Sequence, residues 1–110
     1  MGRTLKERQS PAPRLGMGAT QLCNPHRRAF TVVRLINPRT VVVQEDQAWR
    51  TDNNGVSDQQ EYRFACNPYA PEVTVTLRKH GYWVAKGEPN EGTPYIMGLR
   101  EKYHDYSKTQ

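Results

Sequence analysis

The sequence predicts a mainly β domain, either a compact antiparallel sheet or a small SH3-like barrel, with an α+β arrangement as the variant. Three observations carry this. Apolar and polar residues alternate with a period of two over residues 60–66 and 73–78. Turn formers such as Asn37-Pro38, Asn54-Gly55, Asn67-Pro68 and His80-Gly81 recur between short strand-like runs, as in small all-β domains. No stretch of the body sustains a helical period.

The elements follow in order. MGRTLKERQSPAPRLG, residues 1–16, is expected to be a flexible basic leader or a short helix, because Pro11 and Pro13 end any helix begun at Thr4. Met17 is an alternative start to Met1, and residues 17–110 are read as one ligand-binding domain. Gly16-Met17-Gly18-Ala19 leads into nothing sustained. FTVVRLI (30–36) and TVVVQE (40–45) form a hairpin about Asn37-Pro38-Arg39, where Pro fixes φ and Asn tolerates the left-handed region. Residues 46–50 continue extended or bulge, and Asn54-Gly55 suits a tight turn with positive φ at both centres. In QEYRFAC (60–66), Tyr62, Phe64 and Cys66 share one face. Val73, Val75 and Leu77 point inward from VTVTLR (73–78), and Lys79-His80-Gly81 turns it into YWVAK (82–86). Trp83 is read as core and Tyr82, opposite it, as the exposed ring. GEPNEGTPY (87–95) is a loop, and residues 96–106 close the fold as a strand or short helix followed by extended chain.

Composition limits the function. The chain has 110 residues, a net charge of +5 and only 35% hydrophobic residues, so its core is thin and oligomerisation is a natural supplement. Mean hydropathy is −0.89, and no apolar run approaches the roughly 20 residues of a membrane span. Arg3, Lys6, Arg8, Arg14, Arg27 and Arg28 against Glu7 account for the whole excess charge, and acids and bases cancel over residues 29–110. A folded nucleic-acid binder concentrates its charge on the body, so binding through a basic arm is the subordinate reading. Membrane association is not expected.

Catalytic signals are poor. Cys23-x2-His26 has zinc-ligand spacing, but no second close pair completes a ribbon. The cysteines are read as reduced, buried thiols and the histidines as surface residues, with no metal and no cofactor. There is no phosphate loop and no nucleophile elbow. An enzyme is not expected.

Binding signals are richer. Tyr82 and Trp83 precede a Gly/Pro-rich loop carrying Asn90, and Arg100, Tyr103 and Tyr106 lie in the terminal stretch. Rings stack on bases, arginine forks fit phosphates and carboxamides read base edges. Arg27 and Arg28 have no adjacent carboxylate, whereas Arg100 neighbours Glu101 and has a plain surface ion pair as its rival reading. Residues 57–62 are read as bracing the preceding turn, with the floor of a pocket as the other reading.

The stretches TVVRLINPRTVVVQEDQAWRTDNNGVSDQQEYRF, VTVTLRKHGYW and MGLREKYHDYS together resemble a group of short phage proteins, over residues from about 29 to 106. The family they resemble is Thoeris anti-defence protein one, a sponge for signalling nucleotides. The resemblance implies sequestration without cleavage of cyclic ADP-ribose isomers, and of cyclic oligonucleotides of the CBASS type. It also implies homo-oligomers, dimer or hexamer, with pockets at subunit interfaces, in the cytoplasm of an infected bacterial host. The ligand-binding positions it implies are Arg28, Tyr82, Asn90, Arg100, Tyr103 and Tyr106. A small SH3-like barrel binding nucleic acid or a host protein is the alternative.

Overall fold

The chain's structure, a computed structural model, describes residues 12–104. Eight strands follow one another: β1 (Gly18–Cys23), β2 (His26–Asn37), β3 (Thr40–Glu45), β4 (Gln47–Arg50), β5 (Tyr62–Ala65), β6 (Glu72–Leu77), β7 (Trp83–Ala85) and β8 (Pro94–Met97). Six of them close into an antiparallel barrel in the order β1-β2-β3-β6-β7-β8, with β8 returning to pair β1. β4 and β5 form a separate two-stranded ribbon inserted between β3 and β6. The mainly β, small-barrel expectation holds. No helix occurs among the described residues, so none there is long and apolar enough to cross a membrane.

Closure removes the unpaired backbone edges that an open sheet of this size would expose. Alternation then fills the interior. Ala19, Phe30, Val32, Val41, Val43, Val75, Trp83, Tyr95 and Met97 make one buried cluster, with Val73 and Leu77 packed against it. Phe30 and Tyr95 meet edge to face, with centroids 5.3 Å apart. Trp83 is 3% exposed and Tyr82 is 50% exposed, the opposition expected of neighbours in a strand.

The β2–β3 and β6–β7 hairpins lie where the turn residues place them. Asn37 Oδ1 accepts from the Arg39 N–H, and Gly81 sits at φ 96°. Three features differ from expectation. Residues 18–23 and 26–29 are strand: β1 is new and β2 begins at His26, because Arg27 and Arg28 hide the alternation behind charge. Asn54 has no positive φ, and only Gly55 takes the left-handed region, at 61°. The connection is therefore the long loop 51–61 rather than a tight turn. The final strand starts at Pro94, inside the expected loop, and ends at Met97.

The leader expectation falls mostly on residues 1–11, outside the described residues. Gly16, in the turn before β1, is already tied to the barrel, its N–H donating to the Val32 carbonyl at 2.9 Å.

Candidate functional site

One consequence of the inserted ribbon builds the site. β3 pairs with β2 only as far as Phe30↔Glu45, then leaves at Asp46 for β4. The side of β2 from His26 to Ala29 would be left with open backbone groups. Two other segments fill it. The Asp46 N–H donates to the Ala29 carbonyl at 2.8 Å, and Tyr103 and Arg27 exchange two backbone bonds of 3.0 Å. The chain after β8 thus crosses from barrel to ribbon as an extended strap, residues 98–104.

Side chains clasp the strap along its length. Thr20 Oγ1 donates to the Leu99 carbonyl at 2.6 Å and accepts from the Glu101 N–H at 3.0 Å. The Gln60 carboxamide donates to the His104 carbonyl at 2.7 Å and accepts its N–H at 3.1 Å, standing in for a strand partner. Midway, Arg100 lies over Gly18, where a Cβ would come within 2.7 Å of the Arg100 Cβ.

Arg100 is anchored by a buried carboxylate. Its Nε is 2.9 Å from Asp46 Oδ2, yet the N–H does not point along that line, so the contact is an ion pair and not a directed hydrogen bond. The Arg100 Nη2 donates to Thr31 Oγ1 at 2.7 Å, and Thr31 Oγ1 donates to Asp46 Oδ1 at 2.5 Å. The Asp46 side chain is 1% exposed, so it depends on these partners for its charge. Glu101, the rival partner in sequence, pairs instead with Arg27 at 2.6 Å.

Between strap and ribbon runs an open cleft of about 630 Å³. Arg27, Arg100, Glu101, Lys102 and Tyr103 form one wall, Asp58, Gln60, Tyr62 and Phe64 the other, and Asn24-Pro25 one end. Three rings, Tyr62, Phe64 and Tyr103, therefore share it, with Tyr62 and Phe64 centroids 6.3 Å apart. The cleft's cations Arg27 and Arg100 are neutralised by Glu101 and Asp46, but Lys102 makes no hydrogen bond or ion pair with any described residue. The Tyr103 hydroxyl donates to Asp58 Oδ1 at 2.5 Å.

Loop 51–61 holds its wall rigid. Arg50 grips the Asp52 carboxylate with two guanidinium nitrogens, and Asp52 also accepts the N–H groups of Asn54 and Glu61. The Arg50 guanidinium, reinforced by the Glu61 N–H, holds the Asp52 carboxyl far below the usual carboxylate range. Residues 57–62 thus fill both roles considered for them, bracing the loop and lining the pocket.

Of the six sequence-derived positions, Arg100 and Tyr103 meet in this cleft. Arg28 does not. It shares the inward parity of Phe30 and Val32 at one barrel mouth, where it forms a two-point ion pair with Glu45 at 2.7 and 2.8 Å. The hydrogen bond to Glu45 raises its pKa further. Beside it, Gln21 donates to the Tyr95 hydroxyl at 3.0 Å, and burial pushes both the Tyr95 hydroxyl and the Cys23 thiol up. Tyr82 and Asn90 meet each other's surroundings elsewhere. Asn90 accepts from Arg78 at 2.8 Å, its carbonyl oxygen lies 2.9 Å from His80 Nε2, and the His80 ring packs edge-on to Tyr82. Asn90 therefore ties its loop to the β6–β7 hairpin. Tyr106 lies outside the described residues.

Arg27, noted for lacking an adjacent carboxylate, and Asp58, Gln60 and Tyr62, in the segment whose other reading was a pocket floor, also line the cleft, whereas Lys102 was not singled out. The sequence does not bring these stretches together, since the Arg27–Tyr103 pairing joins residues far apart in the chain. Cys66 is exposed rather than buried and Cys23 half-buried, and both thiols are free. Among the described residues, no group of three or more His, Cys, Asp or Glu side chains is placed to hold a metal ion. No protein-family model matches this sequence, and neither the curated proteins nor the solved structures contain a significant match.

Proposed function

We propose that the protein binds and withholds small signalling nucleotides, cyclic ADP-ribose isomers or cyclic oligonucleotides, without cleaving them. The observation that supports this reading is the strap–ribbon cleft, whose lining brings together Tyr62, Phe64, Tyr103 and Lys102, a cation with no ion-pair partner among the described residues. Rings provide stacking of about 1–3 kcal/mol per base. Lys102 provides a point charge for phosphate, while the paired arginines keep the field weak enough to disfavour long polyanions. The reading extends to assembly as a dimer or hexamer, and to action in the cytoplasm of an infected bacterial host as a phage anti-defence protein.

The test is thermal denaturation of the full chain with each ligand class, followed by mass spectrometry of what heat releases. A bound nucleotide at a thousandfold excess over Kd stabilises by about 4 kcal/mol. The expected result is a clear rise in melting temperature, intact ligand on release and a smaller rise for Lys102→Ala. Recovery of a cleaved ligand makes the protein an enzyme, and absence of any shift ends the proposal.

A further inference from the structure

We infer that the cleft selects ribonucleotides by their free sugar hydroxyls, and that Asp58 is the residue that reads them. The inference rests on the nucleotide reading of the same cleft. Asp58 is exposed in loop 51–61, and the chain on either side of it is pinned. Gln59 N–H donates to Ser57 Oγ at 3.0 Å, Asn54 Nδ2 to the Gln59 carbonyl at 2.7 Å, and Gln60 Nε2 to the Ser57 carbonyl at 3.1 Å. The carboxylate itself is oriented by the Tyr103 hydroxyl on Oδ1. Oδ2 has no hydrogen-bond or ion-pair partner among the described residues.

An ionised carboxylate is an acceptor only. It repels phosphate, so its partners in a nucleotide are the sugar hydroxyls and the N–H groups of a base edge, and the comparison of ADP with 2′-deoxy-ADP separates the two. The Tyr103 ring lines the cleft and its hydroxyl contacts Asp58, so the ribose of a base stacked on that ring comes within reach of the Asp58 carboxylate. A hydrogen bond to a charged acceptor contributes enough for a roughly tenfold or greater preference over a ligand that lacks the donor.

The experiment is calorimetric titration of the full chain with ADP, 2′-deoxy-ADP and ADP carrying a 2′-phosphate. ADP is expected to bind at least about tenfold more tightly than either relative. Asp58→Asn keeps an acceptor for Tyr103 but removes the charge. It should narrow the gap between ADP and 2′-deoxy-ADP and improve binding of the 2′-phosphate form relative to wild type, an effect that loss of loop structure cannot produce. Equal binding of ADP and 2′-deoxy-ADP by wild type overturns the inference while leaving the nucleotide reading intact. A preference that survives unchanged in Asp58→Asn overturns the assignment to this residue. If none of the three binds, the inference fails here, and the nucleotide reading is judged separately by the cyclic ligands.

Discussion

The barrel and the strap–ribbon side are held together by different physics. In the barrel, strand pairing is continuous around a closed ring and the interior is a single apolar cluster with Trp83, Phe30 and Met97 among its largest members. On the other side, beside the Tyr62–Phe64 and His26–His104 ring contacts, polar contacts are prominent: a ring of backbone bonds at Arg27–Tyr103, two-point clasps by Thr20 and Gln60, and ion pairs of Arg27, Arg50 and Arg100. Apolar burial does not titrate and is not weakened by charge screening, whereas ion pairs and carboxylate hydrogen bonds respond to both pH and ionic strength. The cleft that carries the candidate site is thus attached to the stable part by its most condition-sensitive contacts.

The strongest way to break this contrast is to hollow the barrel. Trp83→Ala removes the indole from a position 3% exposed, and such truncations cost about 3–5 kcal/mol. For a chain of this length that is much of the total stability. Chemical denaturation should show a large fall in midpoint, with strap and barrel lost together, since the strap has no core of its own.

Asp46 joins the two regions. Asp46→Asn keeps an acceptor for Thr31 but leaves Arg100 without its counter-charge. Loss of one partner of a fully buried pair costs about 3–5 kcal/mol; Arg100 is a third exposed, so about 1–3 kcal/mol is expected. The effect should be local. Limited proteolysis should cut within residues 98–104 of the variant before the barrel yields, and wild type should resist. Equal protection in both proteins removes Asp46 from its anchoring role.

The same contrast explains what could be read from the sequence. Barrel strands announce themselves through local alternation: Val73, Val75 and Leu77 need only their neighbours to be recognised. The β1–β2 hairpin lacks that signal, because Gln21, Cys23, Arg27 and Arg28 interrupt it with polar groups that only the closed barrel makes sense of. The cleft was half legible. Arg100 and Tyr103 stand out as a cation and a ring near the end of the chain. Their partners are set by where β3 stops pairing, a fact of topology that no window of sequence contains. The arginines show this most plainly, since Arg27 pairs with Glu101 and Arg100 with Asp46, neither with an immediate neighbour.

Acid should sharpen the distinction. The Asp52 carboxyl is depressed by the Arg50 guanidinium and the Glu61 N–H. A carboxylate whose folded pKa lies below its unfolded value of about 3.9 contributes stability above that value and loses it as pH falls toward the folded pKa. Loop 51–61 is therefore expected to stay closed at neutral pH and to open only below about pH 4. Amide exchange at Asn54 and Glu61, followed on descending pH, should accelerate in wild type only there. Asp52→Asn should exchange rapidly at those amides already at neutral pH. The barrel amides of β3 should not follow in either protein. Uniform acceleration across loop and barrel would show that the two regions do not separate.

The smallest effect belongs to Arg28. Its fork on Glu45 is geometrically good, but both side chains are substantially exposed, at 50% and 31%. Exposed pairs of this kind contribute about 0–1 kcal/mol, less as salt rises. Arg28→Ala should shift the denaturation midpoint barely, and the remaining shift should shrink in high salt. It should also leave nucleotide binding in the strap–ribbon cleft unchanged, because the side chain points to the barrel mouth and not to that cleft. Lys102→Ala, on the cleft wall, should do the reverse, sparing stability and weakening binding. A large binding loss in Arg28→Ala would move the ligand to the barrel mouth, beside Gln21 and Tyr95, and would make the barrel rather than its polar flank the functional half of the molecule.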